Sequence, residues 1–151
     1  VNPNVRILVP VDGSEYSLRA LDFAIGFASE LHGEIIICNV IDLARAATMS
    51  GGEAQLVVGC LKELQTEGAA ILADAADHVA NRVPVSTRTA QGSPIAEIER
   101  LATEIKPSFV VIGSHGRTGL NRLVMGSVAE GVVRSSPVPV MVVPRARNGS
   151  K

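Results

Sequence analysis

Tryptophan is absent from this 151-residue chain, and aromatic residues make up only 3% of it. Stacking on aromatic rings supplies much of single-strand affinity, so a nucleic-acid platform of that kind is not expected. Charge of one sign is lacking too. Fourteen Lys and Arg stand against fifteen Asp and Glu, a net charge of −1, which leaves no basic field to gather nucleic acid. The two cysteines, Cys38 and Cys60, form no CxxC pair, so a disulfide scaffold is not expected and a reducing compartment fits best. No apolar run approaches the ~20 residues of a membrane span. The opening VNPNVRILVPV lacks the basic-then-apolar layout of a secretory signal, and the initiator Met reads as removed or left out. A cytoplasmic protein with no membrane or nucleic-acid partner is expected. The three histidines, His32, His78 and His115, show neither HxxxH nor HExxH spacing, so no zinc site is read. GxGxxG and GxxxxGK[ST] are both missing.

What is present is apolar and periodic. Hydrophobic residues make up 46% and charged residues 19%, a globular balance. A chain of this length favours one domain and buries roughly 70% of its unfolded surface without a staple. Residues 5–11 (VRILVPV) are rich in β-branched side chains and predict a first strand. Ser14 or Ser17 caps a helix to Leu31 with the stripe Leu18, Leu21, Ile25 and Ala28, and His32-Gly33 stops it. Residues 34–40 (EIIICNV) predict the second strand. Residues 41–52, with Ser50-Gly51-Gly52, read as a mobile connection. Val57, Leu61, Leu64, Gly68, Leu72, Ala75 and Val79 then recur at helical spacing, so a long helix runs to about Asn81. Residues 83–89 alternate like a half-exposed strand. Ser93-Pro94 opens a helix to about Ile105. Residues 108–112 (SFVVI) predict a fourth strand, 127–135 a short helix and 138–143 (VPVMVV) a fifth strand.

This alternation predicts a single doubly wound α/β domain over residues 1–144, with helices on both faces of a five-stranded parallel sheet and a flexible tail at 145–151. Strands 1, 2 and 4 are apolar throughout and belong inside. Strand 3 alternates and strand 5 carries Pro139, so both belong at edges. The order is then 3-2-1-4-5. Ligands of such sheets sit beyond the carboxyl ends of the strands where the winding reverses, here between strands 1 and 4. The segments leaving those strands are Pro10-Val11-Asp12-Gly13-Ser14 and Gly113 onward. Pro10 suits a place where strand pairing is about to stop.

The second of those segments reads GSHGRTGLNRLVMGS, residues 113–127. Gly113, Gly116 and Gly119 lack Cβ, so backbone N–H groups there can approach an anion or curl into a nest. Gly126-Ser127 opens the last helix, and a helix N-terminus favours one anion by ~0.3–1 kcal/mol. Arg117 and Arg122 add positive charge for a phosphate chain. A plainer reading stands beside this one. Ser127-Val-Ala-Glu130 fits a capping box, and Asp-Gly-Ser at Asp12 fits an ordinary turn. Ser114, His115 and Asp12 suggest a triad, but the residue two before Ser114 is Ile112, not the glycine of a nucleophile elbow. His115 reads as a polar lining residue.

Gly113-x2-Gly116-x9-Gly126-Ser127 resembles the nucleotide-binding signature of the universal stress protein family, and ILVPVDGS and VPVMVVP resemble its flanking segments. The resemblance spans residues 5–144. It implies the α/β order 3-2-1-4-5, ATP at the crevice between strands 1 and 4, and dimers. It implies Pro10 and Val11 on the nucleoside side, and Asp12 facing the ribose or a phosphate bridged by Mg²⁺. Val40 would meet adenine through its backbone. Gly113 and Gly116 would approach ribose and phosphates, and Gly126, Ser127 and Val128 would hold the phosphate chain.

The expected function is therefore an ATP-binding regulatory stress-response protein with little or no hydrolysis, acting on an unknown protein partner. The loop has neither a P-loop lysine nor an obvious base. One alternative is a slow ATP phosphohydrolase or phosphotransferase using Asp12 and His115. Another is a nucleotide-free dimeric interaction module. Strand 5 is apolar on both faces (Val138, Val140 and Val142 against Met141 and Val143), and such an edge needs cover. Its own helices would supply that, or the same strand of a second subunit. A homodimer through residues 138–143 is the expectation.

Overall fold

The computed structural model describes residues 5–116 and 125–146. Five strands, β1 (Arg6–Pro10), β2 (Glu34–Asp42), β3 (Val85–Gly92), β4 (Phe109–Gly113) and β5 (Val140–Val143), pair in parallel in the order β3-β2-β1-β4-β5. The predicted order is the one found. Among the described residues five helices connect them: α1 (Glu15–Leu31), α2 (Leu43–Met49), α3 (Ala54–Val79), α4 (Pro94–Ile105) and α5 (Ser127–Ser135).

Strand side chains alternate between faces, so one sheet builds two cores. Ile7, Val9, Ile35, Ile37 and Val111 pack with Ala20, Leu21, Ala24, Ile25 and Ala28 of α1 and with Leu72 and Val79 of α3. Their neighbours in sequence, Leu8, Ile36, Cys38, Val110 and Ile112, pack on the other face with Ile98, Leu101, Ala102 and Ile105 of α4 and Ala129 and Val132 of α5. Each fully buried Ile, Leu or Val contributes ~1.5–3 kcal/mol. β3 shows mainly exposed residues, as an edge strand should. Among the described residues no helix is long and apolar enough to cross a membrane.

Ser14 caps α1: its backbone is extended and its side chain accepts from Ser17 N. The other end differs from the sequence expectation. His32, not Gly33, takes the left-handed conformation, with φ 55°. Gly33 is needed for space instead, because a Cβ there would lie 2.5 Å from the Val5 carbonyl oxygen.

The mobile connection expected at 41–52 is also corrected. β2 continues to Asp42, whose carboxylate accepts from Ala44 N and Arg45 N and so starts α2. Ala46 and Ile41 are buried against Leu64 of α3. The glycines expected to loosen this segment serve only its end, where Gly51 and Gly52 adopt φ 64° and 81°.

At the far end of the chain, Arg19 Nε donates to the Pro144 carbonyl at 2.8 Å and Arg145 pairs with Glu15 at 3.0 Å. The remainder of the tail, 147–151, lies outside the described residues.

Candidate functional site

β1 pairs with β2 from Arg6 to Pro10, but its register with β4 covers only Ile7 and Leu8. The two central strands part before Pro10. A cleft of about 480 Å³ occupies the space beyond, within the range of small-ligand sites. Pro10, Val11, Asp12, Val40, Gly113, Gly116, Gly126, Ser127 and Val128 all line it. Topology thus brings to one cleft the described residues that the sequence assigns to a nucleotide, whereas Ser114 is not part of its lining. Gly119, Arg117 and Arg122 lie outside the described residues.

The β1 exit is pinned group by group. Val11 N donates to the Cys38 carbonyl at 2.8 Å, and the Val11 carbonyl accepts from Asn39 Nδ2 at 2.9 Å. Asp12 N donates to Ser17 Oγ at 3.3 Å. Asp12 then serves two purposes. Its Oδ1 accepts from Ser14 N at 2.9 Å, the turn that the Asp-Gly-Ser sequence suggests, with Gly13 at φ 85°. Its Oδ2 faces the loop, where a Cβ on Gly116 would stand 2.6 Å away.

The described glycines of the loop are therefore not left-handed hinges. None of Gly113, Gly116 and Gly126 has positive φ. Gly116 leaves room for a carboxylate. Gly113 leaves room for α1, because a Cβ would lie 2.8 Å from the Tyr16 carbonyl group. Gly126 lets the loop return: its N donates to the Ser114 carbonyl at 2.7 Å, and a Cβ would lie 3.1 Å from that oxygen.

The capping box read at Ser127 does not form. Gly126 is the N-cap residue, α5 has no side-chain cap, and Ser127 is exposed in the first turn. Glu130 pairs forward with Arg134 at 2.8 Å instead of reaching back. Among the described residues no side chain caps the first turn of α5, which leaves the partial positive charge of the helix end at the cleft wall.

His115 stands beside this wall, where a Cβ on Gly126 would lie 3.2 Å from its Cα, and packs on Tyr16, ring centroids 5.2 Å apart. Its Nδ1 is 3.1 Å from Ser114 Oγ, and its Nε2 is buried with no hydrogen-bond partner among the described residues. At the opposite end, Arg45 of α2 pairs with Glu67 of α3 at 3.2 Å. The described lining thus carries Asp12, Asp42 and Glu67 against Arg45. Cys38 forms part of the floor, and burial pushes its thiol up to about 12. Among the described residues no three His, Cys, Asp or Glu side chains gather to hold a metal ion.

Sequence reasoning missed Asn39, Arg45, Glu67 and Gly68, which wall the β2 side. Asn39 left a trace: it is a polar residue in an alternate-position stripe of isoleucines, Ile35, Ile37 and Ile41.

The model of the universal stress protein family matches residues 4–144. A universal stress protein of Methanocaldococcus jannaschii is 33% identical over 143 residues, covering 94% of this chain and 83% of its own. The solved structure of hypothetical protein MJ0577 superposes with a TM-score of 0.84 at 27% identity, covering 95% of this chain and 97% of that one. A universal stress protein solved in complex with cAMP superposes with a TM-score of 0.66 at 26% identity, covering 95% and 98%.

Proposed function

Because the chain belongs to the universal stress protein family, we propose that it is a nucleotide-holding regulatory protein whose cleft between β1 and β4 takes ATP. The observation that carries this is the join of three features around one 480 Å³ space: the Asp12 carboxylate, the side-chain-free Gly116 beside it, and the N-terminus of α5, which no described side chain caps. A similarly folded family member bound to cAMP supports an adenine ligand.

The residues suit the parts of that ligand. Pro10, Val11 and the Val40 backbone offer an apolar flank and peptide groups for the base and sugar. Asp12 Oδ2 accepts from a ribose hydroxyl or holds Mg²⁺ against phosphate, since Mg²⁺ needs only one or two protein carboxylates beside phosphate oxygens. The amides of Gly126, Ser127 and Val128 meet the phosphates, and Arg117 adds charge. Gly113 supplies the close approach of α1. Hydrolysis is slow or absent in this reading, because the sequence has no GxxxxGK[ST] lysine to hold a transferring phosphate.

Isothermal titration with ATP and Mg²⁺ tests the proposal. Binding in the micromolar range is expected, with Asp12→Asn weaker by about tenfold, or ~1.4 kcal/mol. No heat with the wild-type protein, or unchanged binding in Gly126→Leu, defeats it. Phosphate release at saturating ATP that disappears in Asp12→Ala would favour the phosphohydrolase reading instead. We also infer a cytoplasmic homodimer through β5, whose Val140, Met141 and Val142 are only half-buried in the single chain. A monomer by sedimentation at micromolar concentration would refute that pairing.

A further inference from the structure

We infer that Asn39 is a positioning residue that aims the β1 exit, and with it the Asp12 carboxylate, into the cleft. The geometry stands alone, while the consequence for ligand affinity rests on the nucleotide reading above.

Asn39 occupies the buried stripe of β2 between Ile37 and Ile41, and is 6% exposed. An amide so placed needs partners. Its Nδ2 donates to the Val11 carbonyl at 2.9 Å. The orientation is fixed by chemistry, because a carbonyl oxygen only accepts. With Val11 N held by Cys38 and Asp12 N held by Ser17 Oγ, Asn39 completes the anchoring of the peptide that precedes Asp12. By this point the register with β4 has ended at Leu8, so the anchoring comes from β2 and α1.

α3 is shaped around the same amide. Gly68 lies in the helix interior, where glycine is a poor helix former. A Cβ there would stand 2.5 Å from Asn39 Oδ1. The glycine therefore keeps α3 close without displacing the side chain that holds Val11.

Two variants test this in the full-length protein. Asn39→Leu keeps the approximate shape and removes the donor. Amide hydrogen exchange followed by NMR should quicken at Val11 and Asp12 by about tenfold or more, with Leu8 and Ile36 unchanged. The Kd for ATP should rise about tenfold. Gly68→Ala should act in the same direction by crowding the amide. In an Asn39→Ala background the crowded atom is gone, so Gly68→Ala should add no further loss.

Unchanged exchange at Val11 and Asp12 in Asn39→Leu overturns the inference. So does a Gly68→Ala effect of equal size with and without Asn39, which also decides the matter if Asn39→Leu does not fold. Faster exchange with unaltered ATP affinity reduces Asn39 to a structural group and overturns its positioning role. A wild-type protein that binds no ATP defeats the nucleotide reading alone, and the exchange measurements still judge Asn39.

Discussion

Replacing Gly113 and Gly116 by alanine, one at a time, separates two reasons for a glycine that the sequence does not tell apart. Neither position has positive φ, so alanine meets no backbone penalty at either. At Gly113 the new methyl would lie 2.8 Å from both the carbonyl carbon and oxygen of Tyr16 and 2.9 Å from its Cβ. Those atoms belong to the first turn of α1 and do not rotate away. Overpacking of a fixed wall costs ~2–3 kcal/mol, the upper part of the usual range. For a chain of this size each kcal/mol moves the melting midpoint by ~2–4 °C, so Gly113→Ala should lower Tm by about 4–12 °C. At Gly116 the obstacle is Asp12 Oδ2 at 2.6 Å, and the next atom, Asp12 Cγ, is 3.9 Å away. A side-chain end swings aside, so the cost to stability should stay within ~0.5 kcal/mol. The carboxylate then points away from the cleft, and the Kd for ATP should rise about tenfold, ~1.4 kcal/mol. Circular-dichroism melts at 222 nm and titration calorimetry at 25 °C read the two effects. Equal losses of Tm in both variants, or a wild-type melt for Gly113→Ala, would refute the assignment of roles.

Other outcomes follow from single contacts. Cys38, with its thiol raised to about 12, should resist a thiol reagent at pH 8 in the folded protein and react once urea unfolds it, whereas Cys60 reacts in both states. The neutral buried thiol stabilises the fold fully below its ordinary value of 9.0, and that contribution should fade as pH climbs from 9.0 toward 12. A denaturant series showing stability rising over that window would contradict the sign. Ser14→Ala removes the acceptor for Ser17 N and should cost ~1 kcal/mol, read as a lower urea midpoint. Lys106 ends α4 at φ 52°, so Lys106→Gly should raise stability by about 1 kcal/mol, and a lower Tm would count against that conformation.

Much of the architecture was legible because it depends on coarse patterns. Unbroken apolar runs placed β1, β2 and β4 inside, and alternation and Pro139 placed the other two at edges. The crevice then followed from the winding, with Asp12 and Gly116 drawn together across it. What stayed hidden depends on single atoms. α2 has seven residues and only Ala46 buried, too little periodicity to register against the adjoining Ser50-Gly51-Gly52. Ser127 and Glu130 have the spacing of a capping box, yet the helix begins one residue earlier in register, at Gly126, and the pair never meets. His32 takes the left-handed turn beside a glycine that looks made for it, because Gly33 is committed to the Val5 carbonyl. Asn39 and Gly68 lie far apart in sequence, and nothing but packing reveals that one requires the other.

The central strand leaves the ribosome before the strands on either side of it. A bond from Arg6 N to Ser108 Oγ spans 102 residues, so one flank of that strand waits for that length of synthesis before its neighbour arrives. A prematurely terminated chain has only half of the hollow. Whatever settles there adds stability to finished molecules alone and leaves truncated ones to be cleared.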